Sequence, residues 1–336
     1  MTPSAPLRGA RLRAAQLLEL SRRPDLGAEL RAAGIGFLVV REDDSQLGQD
    51  AHDAKAPAFI AAALRALDGI GVLASIDLAR LEPFNAAREI ATLDILSGGL
   101  AGLAVQPPGP AAGYARVGLR YRDLDRPEEW LDEALQVVAA LWTSWEPDAV
   151  ARDWSRNRFL DAAKVRPIDF EGEHLSVRGP AATPRSPQGR LPVLADLAEA
   201  RLDRLPRWTE RADLVLTGLR ETDAGPEAGR EAEPGPARPA AERLLLAVDG
   251  DGPLPEVLGD AAGIVVDVSR SEEDALALLR ARGAELDDRF GAAAPGAGTL
   301  RERLGLGAQD GDGGGDGGHG GHGREAGPRE ETETTR

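Results

Sequence analysis

Gly69 to Pro108, GIGVLASIDLARLEPFNAAREIATLDILSGGLAGLAVQPP, is the stretch whose reading decides the fold. Gly71 to Leu78 is a short apolar run rich in branched residues, bounded by Gly69 and Arg80, and it suits a buried strand. Pro83 to Leu96 then places Phe84, Ala87, Ile90, Ala91 and Ile95 at helical spacing. Ser97, Gly98 and Gly99 end that helix, because glycine accepts the left-handed conformation a helix end needs. A second apolar run, Leu100 to Val105, follows at once and is cut off by Pro107 and Pro108. Strand, helix and strand make one βαβ unit, the building block of parallel α/β folds.

Outward from this unit the same signs recur. Ile35 to Val40 is a continuous apolar run and reads as a buried strand; the polar segment REDDSQLGQDAHDAKA after it reads as a loop, and Pro57 to Leu67 as an alanine-rich helix. Arg11 to Ala33 reads as one or two helices, with Pro24 at the break. Asp125 and Pro127 open the clearest amphipathic helix, with Leu131, Leu135, Val138 and Trp142 on one face. Further strands are expected at Leu191 to Ala195, Asp213 to Thr217, Arg243 to Val248 and Gly263 to Val268. Helices are expected at Leu197 to Arg211 and at Ser271 to Gly283, the latter with Ser271 as its cap. The count is seven strands, one short of a closed barrel. Either Leu12 to Leu18 supplies the eighth or the barrel is incomplete.

The chain has 336 residues, 42% of them hydrophobic, which is enough for one large domain with a sizeable core. A formal charge of -16 opposes a nucleic-acid or anionic-membrane partner and favours solubility. Cysteine is absent, so disulfides, thiolate metal sites and a cysteine nucleophile are excluded. No apolar run approaches the roughly 20 residues of a membrane span, and the first residues lack the form of a signal peptide, so a cytoplasmic protein is expected. Residues 1–306 read as one α/β domain containing a polar insertion at 147–190 and a flexible Pro-, Gly- and Glu-rich linker at 221–240. Residues 307–336, rich in Gly, Asp and His, read as a disordered tail.

Two ordered blocks carry a family resemblance. The first is Glu82-Pro83-Phe84-Asn85-Ala86-Ala87-Arg88, then Ala91-Thr92-Leu93-Asp94, then Leu96-Ser97-Gly98-Gly99. The second runs from Leu141-Trp142-Thr143-Ser144-Trp145-Glu146-Pro147-Asp148 through Lys164-Val165-Arg166-Pro167, Gly172-Glu173-His174 and Val177-Arg178-Gly179-Pro180 to Ser186-Pro187-Gln188-Gly189-Arg190. The chain resembles the bacterial luciferase-like flavin monooxygenases, in the branch of the nitrilotriacetate and dibenzothiophene sulfone enzymes. The resemblance implies a TIM (β/α)8-type barrel that acts on a small organic substrate with reduced FMN from a separate flavin reductase. The deazaflavin F420 of related barrels is the other cofactor it allows. It also implies a homodimer, or pairing with a paralogue.

The same resemblance assigns the site residues. Ser75 lies where the family has a threonine near the flavin ring, Gln106 offers an amide close to a family amide now occupied by Ala104, and Tyr121 lies where a family tyrosine approaches the phosphate. These three are the cofactor-binding candidates. Pro107 and Pro108 replace family hydroxyls. Asp196-Leu197-Ala198-Glu199 stands in place of a Gly-Ala-Ser phosphate loop, and two carboxylates there would repel a phosphate. These substitutions support an alternative reading, a degenerate flavin-free barrel that acts as a binding or assembly partner. His52, in the acidic loop after the Ile35 to Val40 strand, is the candidate for proton transfer by location. Trp142, Trp145 and Trp154 read as core and loop anchors, His174 as a structural position, and no metal site is expected.

Overall fold

In the computed structural model, residues 6–42, 56–78, 81–107, 126–198, 205–218, 243–256, 258, 261–271, 274–293 and 297–306 are described. Eight parallel strands close into a barrel: β1 (Leu7–Arg13), β2 (Phe37–Arg41), β3 (Gly71–Ile76), β4 (Ala101–Val105), β7 (Val193–Leu197), β8 (Leu214–Gly218), β9 (Leu244–Asp249) and β10 (Gly263–Asp267). Around the ring the order is β1-β10-β9-β8-β7-β4-β3-β2. A two-stranded hairpin, β5 (Phe170–Glu171) and β6 (Ser176–Val177), lies in the polar stretch expected as an insertion. The helices are α1 (Ala14–Leu20), α2 (Leu26–Ala32), α3 (Ala56–Leu67), α4 (Pro83–Ser97), α5 (Pro127–Trp142), α6 (Ala275–Phe290) and α7 (Leu300–Arg303). The 221–240 linker and the 307–336 tail lie outside the described residues.

The TIM-type barrel is therefore present, and it is complete. The eighth strand is Leu7–Arg13, earlier than expected, and pairs with β10 and β2. It was hidden because Arg8, Arg11 and Arg13 break the apolar run that betrays the other strands. Arg8 and Arg11 are nevertheless buried. Arg8 turns outward toward α6, where Nη1 meets Asp287 at 2.6 Å and Nη2 donates to the Leu286 carbonyl. Two other boundaries are corrected. β7 extends to Leu197, and Arg207–Arg211 is a short 3-10 helix, so the expected helix from Leu197 does not begin there. The cap of α6 is Asp274, whose carboxylate accepts from the amides of Leu276 and Ala277. That helix runs on past Gly283, where a Cβ would sit 2.3 Å from the Ala33 carbonyl oxygen, so glycine lets α6 close on the end of α2.

Strand alternation splits the core in two. Ala10, Leu12, Leu38, Val40, Val72, Ala74, Leu103, Val105, Val193, Ala195, Val266 and Val268 face the helices. Phe37, Val39, Leu73, Ala104, Leu194, Leu214, Leu216, Leu245, Ala247 and Val265 fill the barrel. Leu300 and Leu304 of α7 join the inner group, Leu300 against Gly71 and with its amide on the Gly99 carbonyl at 2.7 Å. Gly71 and Gly99 belong to the N-terminal ends of β3 and β4, so α7 plugs that end. The C-terminal ends of the strands form the mouth, the end at which barrels of this type place their chemistry.

The recognisable motifs build scaffold, one set of them at the plugged end. Asp94 on α4 is fully buried and accepts from the Ala101 amide, the Gln188 amide and, at 2.5 Å, Gln188 Nε2. Gln188 also donates to the Ala101 carbonyl, and its Oε1 accepts from the Arg301 amide at 2.7 Å. The Thr92-Leu93-Asp94 run and the Ser186-Pro187-Gln188 run are thus two halves of one clasp beneath the barrel. Likewise Glu133 on α5 accepts from the amides of Glu173, His174 and Leu175 at 2.8–2.9 Å, which explains the Gly172-Glu173-His174 motif: a Cβ on Gly172 would sit 2.3 Å from the Glu133 carboxylate.

Candidate active site

The inward positions at the strand ends follow from the alternation: Arg11 and Arg13 on β1, Arg41 on β2, Ser75 on β3, Asp196 on β7, Asp249 on β9 and Asp267 on β10. Arg13 and Arg41 are in register, as are Asp249 and Asp267, so the rim is basic over β1 and β2 and acidic over β9 and β10. Between these sectors lies a buried charge cluster. Arg11 Nε donates to Asp196 Oδ2 at 3.1 Å and Arg11 Nη1 to Asp267 Oδ2 at 2.6 Å; the three side chains are 1%, 0% and 8% exposed. β7 is four strands from β1 in either direction, so the Arg11–Asp196 bond spans the barrel. It forms a polar floor over the apolar filling.

Asp196 requires a further correction. It is a strand residue turned into the barrel, not part of a loop facing a phosphate, and its charge is met by Arg11. The other oxygen of each aspartate binds the turn that follows its strand: Asp196 Oδ1 accepts from the Ala198 amide at 3.3 Å, and Asp267 Oδ1 from the Ser269 amide at 2.9 Å. The amides of Gly250 and Gly252 are taken by the Asp267 and Asp249 carbonyls. The protein's own oxygens therefore hold the donors that a phosphate would seek at these strand ends.

Across the mouth, over β3, a polar group is left unmet. Ser75 is 2% exposed, and its Oγ has no hydrogen-bond partner. A buried hydroxyl in that state is costly, and Ser75 stands on the inward side of β3 near its C-terminal end. Gln106 is half-buried and follows β4 directly, near Ser75, whose register partner is Ala104. Tyr121 and His52 lie outside the described residues, as do Asp43 and Asp44. Glu82 precedes α4 and makes no side-chain cap. Two of the three tryptophans are anchors, as expected: Trp142 Nε1 donates to the Ala87 carbonyl and Trp145 Nε1 to the Ala181 carbonyl, both at 3.0 Å; Trp154 is 79% exposed, which corrects the anchor reading there. Glu129, Glu173 and His174 bring three donor atoms within 4.8 Å of one another, but Arg126 pairs with both carboxylates. Sequence reasoning missed Arg11, Asp196 and Asp267 as a unit, since its members are 185 and 256 residues apart.

A closed eight-stranded parallel barrel, plugged at one end and carrying polar inward side chains at the other, defines a (β/α)8 protein with a site at the C-terminal mouth. The chain belongs to the luciferase-like monooxygenase family, whose model matches residues 9–295. It is 37% identical over 150 residues to dibenzothiophene-sulfone monooxygenase of Rhodococcus erythropolis, covering 44% of this chain and 33% of that protein. It is 30% identical over 277 residues to one of the subunits of pristinamycin IIA synthase of Streptomyces pristinaespiralis, covering 82% of this chain and 86% of that one. The alignments span only about a third of the first curated relatives' length. Among solved structures, EDTA monooxygenase from Chelativorans sp. BNC1 superposes with a TM-score of 0.63 at 16% identity, covering 90% of this chain and 99% of that one. No described helix is long and apolar enough to cross a membrane.

Proposed function

We propose that the protein is a cytoplasmic flavin-dependent monooxygenase that uses reduced FMN from a separate reductase on a small organic substrate, in a single barrel domain that includes the 147–190 insertion. The observation that carries this reading is Ser75, a buried, unpartnered hydroxyl on the inward side of β3 near the mouth of a barrel of the luciferase-like family. The relatives include monooxygenases and a protein named as a component, nitrilotriacetate monooxygenase component A, which supports a reductase partner. The described residues fit a flavin ring over β3 and β4, where Ser75 would meet a ring heteroatom and Gln106 would supply an amide. Tyr121 would complete the set. When bound, reduced flavin supplies the reaction with oxygen. The chain's own part is to bind and orient the ring, and the Arg11–Asp196–Asp267 floor limits how deep a ligand sinks.

Ser75→Ala tests this through two readouts that move in opposite directions. With no ligand, the substitution removes an unmet hydroxyl, so thermal stability stays level or rises slightly. Reduced FMN then binds about fivefold more weakly, for the loss of one hydrogen bond of about 1 kcal/mol. A loss of stability with unchanged binding would make Ser75 a packing residue.

A second reading is favoured by the occupied amides at β7, β9 and β10: a flavin-free protein that assembles with an active paralogue. The similarity along most of the chain to a protein named as a subunit supports it.

A further inference from the structure

A cavity of about 210 Å³ lies outside the barrel, between α5 and the start of β7, lined by Leu135, Gln136, Ala139, Arg190, Val193 and Arg211. Arg190 precedes β7 and Arg211 precedes β8, so the cavity belongs to the plugged end and shares no residue with the mouth. Half of its lining is apolar, and Leu135 and Val193 are buried core residues. Its two cations are not equally satisfied. Arg211 donates from Nε and Nη2 to the two carboxylate oxygens of Asp132, at 2.9 and 3.2 Å, and Gln136 Nε2 donates to the same carboxylate at 2.8 Å. Asp132 is thereby fully engaged. Arg190 has no such acid: its Nε is buried with no hydrogen-bond partner, and among the described residues no carboxylate pairs with it. The other charged groups nearby are engaged or lie outside the lining. Glu133 holds the amides of Glu173 to Leu175, and Asp213 accepts from the Val193 amide at 2.9 Å and meets Arg301 at 3.5 Å. Arg185 packs over Gly189, and Glu210 is exposed. One uncompensated positive charge therefore lines the cavity. A guanidinium partly withdrawn from water without an acceptor is unfavourable, and a bound anion removes that cost.

We infer that this cavity binds a small carboxylate with an apolar body, and that Arg190 is the residue that holds it. The planar fork of a guanidinium matches a carboxylate with two parallel hydrogen bonds. Arg211, fixed by Asp132, adds attraction from the other wall. The body of the ligand covers Leu135, Ala139 and Val193, and burial of that surface favours an organic acid over an inorganic anion of equal charge. The chain's formal charge of -16 opposes any anion at long range, so the selection is local to the cavity. The inference goes beyond the flavin reading and is independent of it, since the site lies outside the barrel.

The test is calorimetric titration of the flavin-free full chain with sodium benzoate and with sodium sulfate, at neutral pH and about 0.15 M salt, which screens the long-range repulsion. Arg190→Gln removes the charge and keeps a donor, and Ala139→Leu fills the apolar wall with no change of charge. Arg178→Gln takes the same charge from an exposed position on the insertion. The expected result is saturable binding of one benzoate per chain, weaker binding of sulfate, and about tenfold weaker benzoate binding in Arg190→Gln and in Ala139→Leu, with none of that loss in Arg178→Gln. Unchanged benzoate affinity in Arg190→Gln would put the ligand elsewhere and overturn the inference. Equal losses in Arg190→Gln and Arg178→Gln would do the same, since binding would then follow net charge. So would sulfate binding as tightly as benzoate, or no saturable benzoate binding up to about 10 mM. If thermal unfolding shows that Arg190→Gln does not fold, Ala139→Leu decides alone, and full benzoate binding there overturns the inference. Failure to bind FMN in a separate titration would refute the flavin reading and leave this result standing.

Discussion

Arg11→Leu is expected to destabilise the protein by about 3–5 kcal/mol, the usual cost of removing one partner of a buried ion pair. Leucine fills much of the volume, so the loss comes chiefly from charge. Asp196, with a fully buried side chain, and Asp267, at 8% exposure, would be left in the barrel without their guanidinium. The double variant Arg11→Leu with Asp196→Leu should recover part of the loss, since a buried pair replaced as a unit by apolar residues is often neutral or better. Urea denaturation of the two variants and the parent measures the coupling directly. Additive losses in the double variant would show that the two residues do not act as a pair.

The second large effect belongs to the clasp beneath the barrel. Asp94→Ala leaves the Ala101 amide and two donors of Gln188 without their acceptor, and Gln188 is the residue that positions the Arg301 amide at the start of α7. A loss of about 4 kcal/mol is expected, read from the denaturation midpoint. Asp94→Asn behaves differently because it keeps an acceptor oxygen and removes the charge. Burial raises the Asp94 carboxyl above its ordinary 3.8, against the hydrogen bonds that pull it down. A carboxyl raised in the folded state binds more protons there than in the unfolded chain. Its contribution is therefore full below about 3.8 and declines as pH rises through the raised value. Stability of the parent should fall over that window relative to Asp94→Asn, whose profile lacks this component.

How much of this is legible in the sequence depends on where polarity sits. β2, β3, β4, β8, β9 and β10 announce themselves as apolar runs because both their faces are buried, one against helices and one inside the barrel. β1 does not, because it carries Arg8 to the helix layer and Arg11 to the barrel interior, and a strand with buried arginines looks like a polar helix face. Starting β7 two residues early shifts its end as well, which is why Asp196 reads as a loop residue in the sequence. The resemblance to flavin monooxygenases is visible in blocks that build scaffold: Asp94 with Gln188, and Glu133 with Gly172 to Leu175. The side chains that distinguish this mouth, Arg11 with Asp196 and Asp267, leave no local pattern, since only barrel closure brings them together. Ser75 is singled out in the sequence by the family resemblance alone, and its lack of a hydrogen-bond partner appears only in the folded chain.

The measurement that bears most directly on function is an anaerobic titration of the purified chain with reduced FMN, followed by absorbance and repeated with oxidised FMN by fluorescence. Saturable binding of the reduced form is expected, in the micromolar range typical of a cofactor that moves between proteins. Absence of binding up to about 1 mM, a free energy weaker than about 4 kcal/mol, would contradict the monooxygenase reading and leave the flavin-free assembly partner in its place.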